Sequence, residues 1–86
     1  MYYLYILKCA DGTLYTGITT DFVRRLAEHN YSARGAKYTA VRRPVTLAYL
    51  EEFADRSLAS IVEAEMKKRT RAEKLKIIFD NKKSHS

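Results

Sequence analysis

Two tyrosines, an arginine, a histidine and a pair of glutamates are the groups in this chain best suited to chemistry: Tyr5, Tyr15, Arg25, His29, and Glu63 or Glu65. Arginine recognises phosphate oxygens through paired N–H donors and steadies charge that develops on them. A phenol whose pKa is lowered by cations, or an imidazole, can take the proton from an attacking water. Hydrolysis of a phosphodiester by such a set also calls for a divalent cation, for which carboxylates are the natural hard-oxygen ligands. Taken singly, each residue has a plainer role. A strand tyrosine is usually a core or surface ring, Arg25 beside Arg24 a solvated helix face, and His29 a structural group. Only the joint set points to phosphate chemistry.

These groups require elements to hold them together. Residues 2–8 (YYLYILK) are aromatic and branched and read as a strand, followed by a turn at Ala10-Asp11-Gly12 and a returning strand over residues 13–18. Tyr5 and Tyr15 then lie on paired strands, with Tyr3 and Tyr5 on one face. Asp21 is placed to cap a helix whose apolar positions are Phe22, Val23, Leu26 and Ala27. At about 100° per residue, Arg25 and His29 fall on one side of it, His29 at the border of the apolar face and Arg25 one step further out. A loop over residues 30–35 leads to a short basic turn over 36–43, ended by Pro44. Residues 45–53 read as a third strand.

Asp55 or Ser57 then caps a helix running to about Arg69, and Thr70-x-x-Glu73 forms a capping box for a last helix over residues 71–79. On the first of these two helices the expected apolar stripe is Leu58, Ala59, Ile61, Val62 and Met66. Glu65 falls inside that stripe and Glu63 at its margin, so geometry leaves open which is a ligand. Either can instead support an i,i+4 pair, with Lys67 or Arg69. The order β-β-α-β-α-α predicts an α+β fold, a small three-stranded antiparallel sheet flanked by helices. Residues 1–80 form the expected single domain and 81–86 a polar, frayed tail.

With 86 residues a second hydrophobic core would not fit, while 47% hydrophobic residues suffice for one. A net charge of +6 suits a polyanion partner. Arg34, Lys37, Arg42 and Arg43 have the best claim on a nucleic-acid backbone because their loop follows the Arg25/His29 helix, and Gly17 would let a phosphate come close to the strand. The run Lys67-Lys68-Arg69 reads instead as the solvated end of a helix. The single cysteine, Cys9, forms no internal disulfide and reads as a small core or edge residue. With neither a signal-peptide pattern nor an apolar run of membrane-spanning length, the expected setting is the cytoplasm.

With those residues in place, the chain resembles GIY-YIG nuclease domains, and within them the small bacterial proteins related to the nuclease domain of the excision-repair subunit UvrC. Tyr3-Leu4-Tyr5 stands where the family has Gly-Ile-Tyr, and Tyr15-Thr16-Gly17 where it has Tyr-Ile-Gly. Arg25 and His29 match the helix motif, and Glu63 takes the place of the metal-binding glutamate, which favours it over Glu65. The resemblance implies one divalent ion, Mg²⁺ or Mn²⁺, and hydrolysis of DNA phosphodiesters in repair or recombination. It also implies roles: Tyr5 to activate water with help from His29, Tyr15 to hold phosphate or water, and Arg25 to stabilise the transition state. Tyr3 replaces the family's first glycine, and the asparagine that follows the last helix in larger members has no counterpart.

The expected activity is therefore a metal-dependent DNA endonuclease. With no sequence-reading module in view, its specificity would come from DNA structure, from a protein partner, or be low. The alternative is a nucleic-acid-binding module that keeps the fold without useful turnover. A protein-interaction adaptor using the basic surface is the third reading.

Overall fold

Alternation with period two organises the middle of the fold. In the computed structural model, which describes residues 1–84, β1 (Tyr2–Lys8), β2 (Leu14–Thr19) and β3 (Thr46–Phe53) form one antiparallel sheet in the order β2-β1-β3. The register sets Tyr5 opposite Gly17 on one side and Leu50 on the other. Even-numbered Leu4 and Ile6 go to one face, where they are buried with Met66 and Ile78. Odd-numbered Tyr5 and Leu7 go to the other, with Cys9 and Val45. The hairpin between β1 and β2 turns on Gly12, whose φ of 83° favours glycine.

Each face is covered by helices. Helix α1 (Phe22–Tyr31) starts on Asp21, whose carboxylate accepts from the Arg24 N–H at 3.0 Å. Its inward positions are Phe22, Arg25, Leu26 and His29, whereas Val23 and Ala27, expected on the apolar face, are exposed. The far end of α1 is fixed to the start of β3 by Asn30. Its amide donates to the Val45 carbonyl at 3.0 Å and accepts from the Val45 N–H at 2.8 Å. Between them lies α2 (Lys37–Ala40), followed by the cis Arg43–Pro44 bond.

Helices α3 (Arg56–Lys67) and α4 (Arg71–Ser84) bring Met66 and Ile78 to the opposite face. Asp55 caps α3, accepting from the Leu58 N–H at 2.9 Å. The capping box of α4 forms in both directions: Thr70 N–H donates to Glu73 and Glu73 N–H to Thr70 Oγ1. Arg71 and Lys74 tie α4 back to the sheet, bonding the Gly12 carbonyl at 3.0 Å and Thr16 Oγ1 at 3.1 Å.

Two further expectations change. The inner arc of α3 is Ala59, Val62, Glu63 and Met66, while Leu58, Ile61 and Glu65 are exposed. The helix is rotated relative to the expected stripe, with Ala59, fully buried, as its smallest inward residue. Helix α4 also continues five residues past Phe79, because Asp80, Asn81 and Lys82 need no core to remain helical once the preceding turns are docked. Of the tail expected at 81–86, residues 81–84 are thus helical, and 85–86 lie outside the described residues.

Candidate active site

Tyr5 is the centre of the site. It is only 3% exposed, yet its hydroxyl lies 2.9 Å from His29 Nε2. The phenol reaches that point by lying across Gly17, the residue paired with it on β2. A methyl group on Gly17 would stand 2.6 Å from Tyr5 Cζ, so glycine is required by the ring. On this face of the strand the Tyr5 ring, and not open space, lies against Gly17. Tyr15 stands beside both, its ring centre 6.4 Å from Tyr5 and 5.1 Å from His29.

His29 lies deeper than the border of an apolar face. It is the one buried residue of α1 and is fully shielded from solvent. Its Nδ1 is 2.8 Å from Thr39 Oγ1, so both ring nitrogens have partners. Burial, joined by the Arg25 guanidinium and opposed by Glu28, with Arg43 adding to the effect, lowers its pKa from 6.5 to about 4. The folded protein holds this ring neutral where the unfolded chain protonates it. Stability from this group is complete above pH 6.5 and falls as pH drops from 6.5 towards 4. The expected loss is about 2–3 kcal/mol. Urea unfolding of wild type and His29→Gln across this window should show the decline in wild type and a flatter profile in the variant. A wild-type slope no steeper than that of His29→Gln would contradict it. The upper part of the window isolates the histidine, because Asp11, Glu28 and Glu73 have pKa values lowered below the ordinary 3.8–4.5.

Arg25 points inward. Its Nη1 donates to Glu28 Oε1 at 3.0 Å and to the Arg34 carbonyl at 2.9 Å, which fixes the guanidinium beside the Tyr5 hydroxyl. Even so, burial outweighs this cation and raises the Tyr5 pKa. Tyr5 rests as a neutral phenol. The expectation that nearby cations would lower its pKa is corrected here, because a buried phenolate loses more hydration than one partly engaged guanidinium returns.

The four loop cations divide. Arg34 and Lys37 are exposed. Arg42 lies over the Tyr38 ring at 3.9 Å and bonds Asp11 Oδ2 at 3.0 Å and the Tyr38 carbonyl at 2.8 Å. Arg43 donates to the His29 and Ser32 carbonyls at 2.6 and 2.7 Å, closing the C-terminus of α1. These donors bond groups of the protein itself. Thr39, Tyr38 and Glu28 are additions that sequence reasoning missed. Only Glu28, one turn after Arg25, carried a readable signal. Tyr38 stacks on Tyr15 with ring centres 5.9 Å apart.

Glu63 is half-buried on the inner arc of α3. Its side chain is 22% exposed, it meets Lys67 at 3.5 Å, and its charge is felt at Tyr5, whose pKa it raises. Glu65 is exposed, and the expected Arg69 partner pairs with Glu73 at 3.8 Å instead. No cluster of three or more His, Cys, Asp or Glu occurs among the described residues. One accessible carboxylate near a phenol suits a hard cation that keeps most of its water, such as Mg²⁺ or Mn²⁺, and not an ion that needs an all-protein cage.

Comparison with known proteins gives concordant matches. The family model described as GIY-YIG catalytic domain matches residues 1–76. A UPF0213 protein of Desulfotalea psychrophila is 49% identical over 85 residues, spanning 99% of this chain and 77% of its own. One from Streptococcus pyogenes serotype M5 is 52% identical over 82 residues, 94% of this chain and 88% of its own. Among solved structures, a protein from E. faecalis has a TM-score of 0.64 at 46% identity, covering 92% of this chain and 83% of that one. The UPF0213 protein of Bacillus halodurans gives 0.58 at 42%, covering 91% and 83%. No helix among the described residues is long and apolar enough to cross a membrane.

Proposed function

The chain belongs to the GIY-YIG catalytic domain family, and on that footing we propose that it is a metal-dependent endonuclease acting on DNA phosphodiester bonds, selective for DNA structure and serving repair or recombination in the cytoplasm. The observation that carries this reading is the Tyr5–His29 hydrogen bond at 2.9 Å, buried beside a fixed guanidinium and within reach of the Glu63 charge.

In this mechanism a scissile phosphate enters against Arg25, which stabilises the charge that grows on its oxygens. Its arrival also changes His29. Arg25 is, after burial, the strongest influence depressing the imidazole pKa. An anion paired with Arg25 cancels that influence, and the ring becomes a better proton acceptor. Tyr5 Oη takes a proton from the attacking water while its own passes to His29 Nε2, so no free phenolate forms in the buried site. Tyr15 borders the phosphate and keeps His29 upright through their ring contact. Exposed Arg34 and Lys37 contact the flanking backbone, where they set the salt dependence of binding. Glu63, with water and the scissile phosphate, would hold the divalent ion, which supplies charge neutralisation at the phosphoryl group and the leaving oxygen.

The test is cleavage of labelled duplex, flap, bubble, fork, four-way junction and single-stranded DNA at low salt with Mg²⁺, Mn²⁺ or EDTA. Cutting is expected only with metal, and Glu63→Gln should lower it about 100-fold while Glu65→Gln does not. Binding without cleavage of any substrate would instead make the chain a nucleic-acid-binding module. Loss in Glu65→Gln alone would move the ligand to that residue.

A further inference from the structure

We propose that Thr39 is a positioning residue: its hydroxyl fixes His29 as the Nδ1–H tautomer and so leaves Nε2 free to accept the Tyr5 proton. This deepens the nuclease reading and rests on it for its functional consequence. The polarity follows from one carbonyl. Thr39 Oγ1 is 2.9 Å from the Ala36 carbonyl oxygen and 2.8 Å from His29 Nδ1. A hydroxyl has one proton to give, and a carbonyl oxygen can only accept. The Thr39 proton is therefore directed at Ala36, and towards His29 the hydroxyl can only accept. Nδ1 must carry a hydrogen, and in a neutral imidazole Nε2 is then the acceptor. Tyr5 Oη, 2.9 Å from Nε2, is the donor.

The surroundings hold this chain of bonds in one direction. Thr39 and His29 are both fully buried, so water offers no alternative partner for either. The loop before α2 presses against α1 at this point. A methyl group on Gly35 would stand 2.6 Å from the Glu28 carbonyl oxygen and 2.8 Å from His29 Cα. From the other side, Arg43 holds the His29 carbonyl at 2.6 Å. Short as it is, α2 thus brings one hydroxyl to a set distance from one ring nitrogen. Without that acceptor the Nε2–H tautomer becomes available, and it would direct a proton at Tyr5 where an acceptor is required.

Long-range ¹H–¹⁵N correlation on the uniformly labelled full chain reads the tautomer directly, with His29→Gln separating its signals from those of His85. Wild type and Thr39→Ser should show His29 protonated on Nδ1 near neutral pH. Thr39→Val, similar in volume but lacking the hydroxyl, should populate the Nε2–H form. Cleavage should fall about 100-fold in Thr39→Val and be retained in Thr39→Ser. Nε2–H in the wild type would overturn the proposal, as would a Thr39→Val protein with unchanged tautomer and rate. The spectrum needs no substrate. A wild type that cleaves nothing would count against the nuclease reading, and the tautomer would still decide the case for Thr39.

Discussion

Phenylalanine in place of Tyr5 is expected to lower DNA cleavage by about 10³-fold while leaving the fold in place. The substitution removes one oxygen and keeps the ring. The ring contacts with Tyr15 and His29, at centre distances of 6.4 and 5.7 Å, persist, and so does the packing over Gly17. What goes is the proton path: His29 Nε2 loses its partner, and Arg25 no longer faces a phenol oxygen. The stability cost is one buried hydrogen bond, about 1–2 kcal/mol. A catalytic loss far larger than the loss of stability is the signature of a group acting on the reacting atoms. Initial rates at saturating metal, measured alongside thermal unfolding, separate the two. A Tyr5→Phe protein within tenfold of wild type would mean that the water is activated without this phenol. Tyr5 would then be a core ring with a satisfied hydroxyl, the role a strand tyrosine usually has.

Local features were legible in the sequence because their causes are local. The alternation of β1, the turn at Gly12, the Asp21 and Asp55 caps and the Thr70/Glu73 box all depend on neighbours within a few residues. Depth and direction were not. Rotation of α3 by a modest angle moves Ile61 and Leu58 out and Glu63 in, and residue types on the helix fit either arrangement. His29 passes from a border to the core because Thr39 reaches it from a four-residue helix that no periodicity could mark. Arg42 and Arg43 are expected at a phosphate backbone because they follow the right helix. In space the same closeness gives them carbonyls, a carboxylate and a ring to bind. The resemblance supplied Glu63 where helical projection left two choices; Glu63 lies on the inward arc of α3 and Glu65 is exposed.

Alanine at Gly17 should oppose fold and catalysis together. The added carbon would lie 2.6 Å from Tyr5 Cζ and 3.0 Å from Cε2, well inside van der Waals contact. Something must move. The strand backbone is held by pairing to β1 in register, so the ring has to swing, and it cannot keep its hydroxyl on His29 when it does. A loss of about 3 kcal/mol in stability is expected from the overpacking and the broken buried bond together. Cleavage should fall as far as in Tyr5→Phe. A double-mutant cycle identifies the cause. If Gly17 exists to seat the phenol, Gly17→Ala costs little stability in a Tyr5→Ala background, where there is no ring to displace. If Gly17 instead keeps the strand open for a phosphate, the two substitutions act independently: the alanine costs the same stability with or without Tyr5, and DNA affinity falls in both backgrounds. Coupling of about 2 kcal/mol or more would assign the glycine to the tyrosine. In this chain the second tripeptide would then serve the first across the hairpin: Gly17 supplies the space, Tyr5 fills it, and the proton path begins where the two meet.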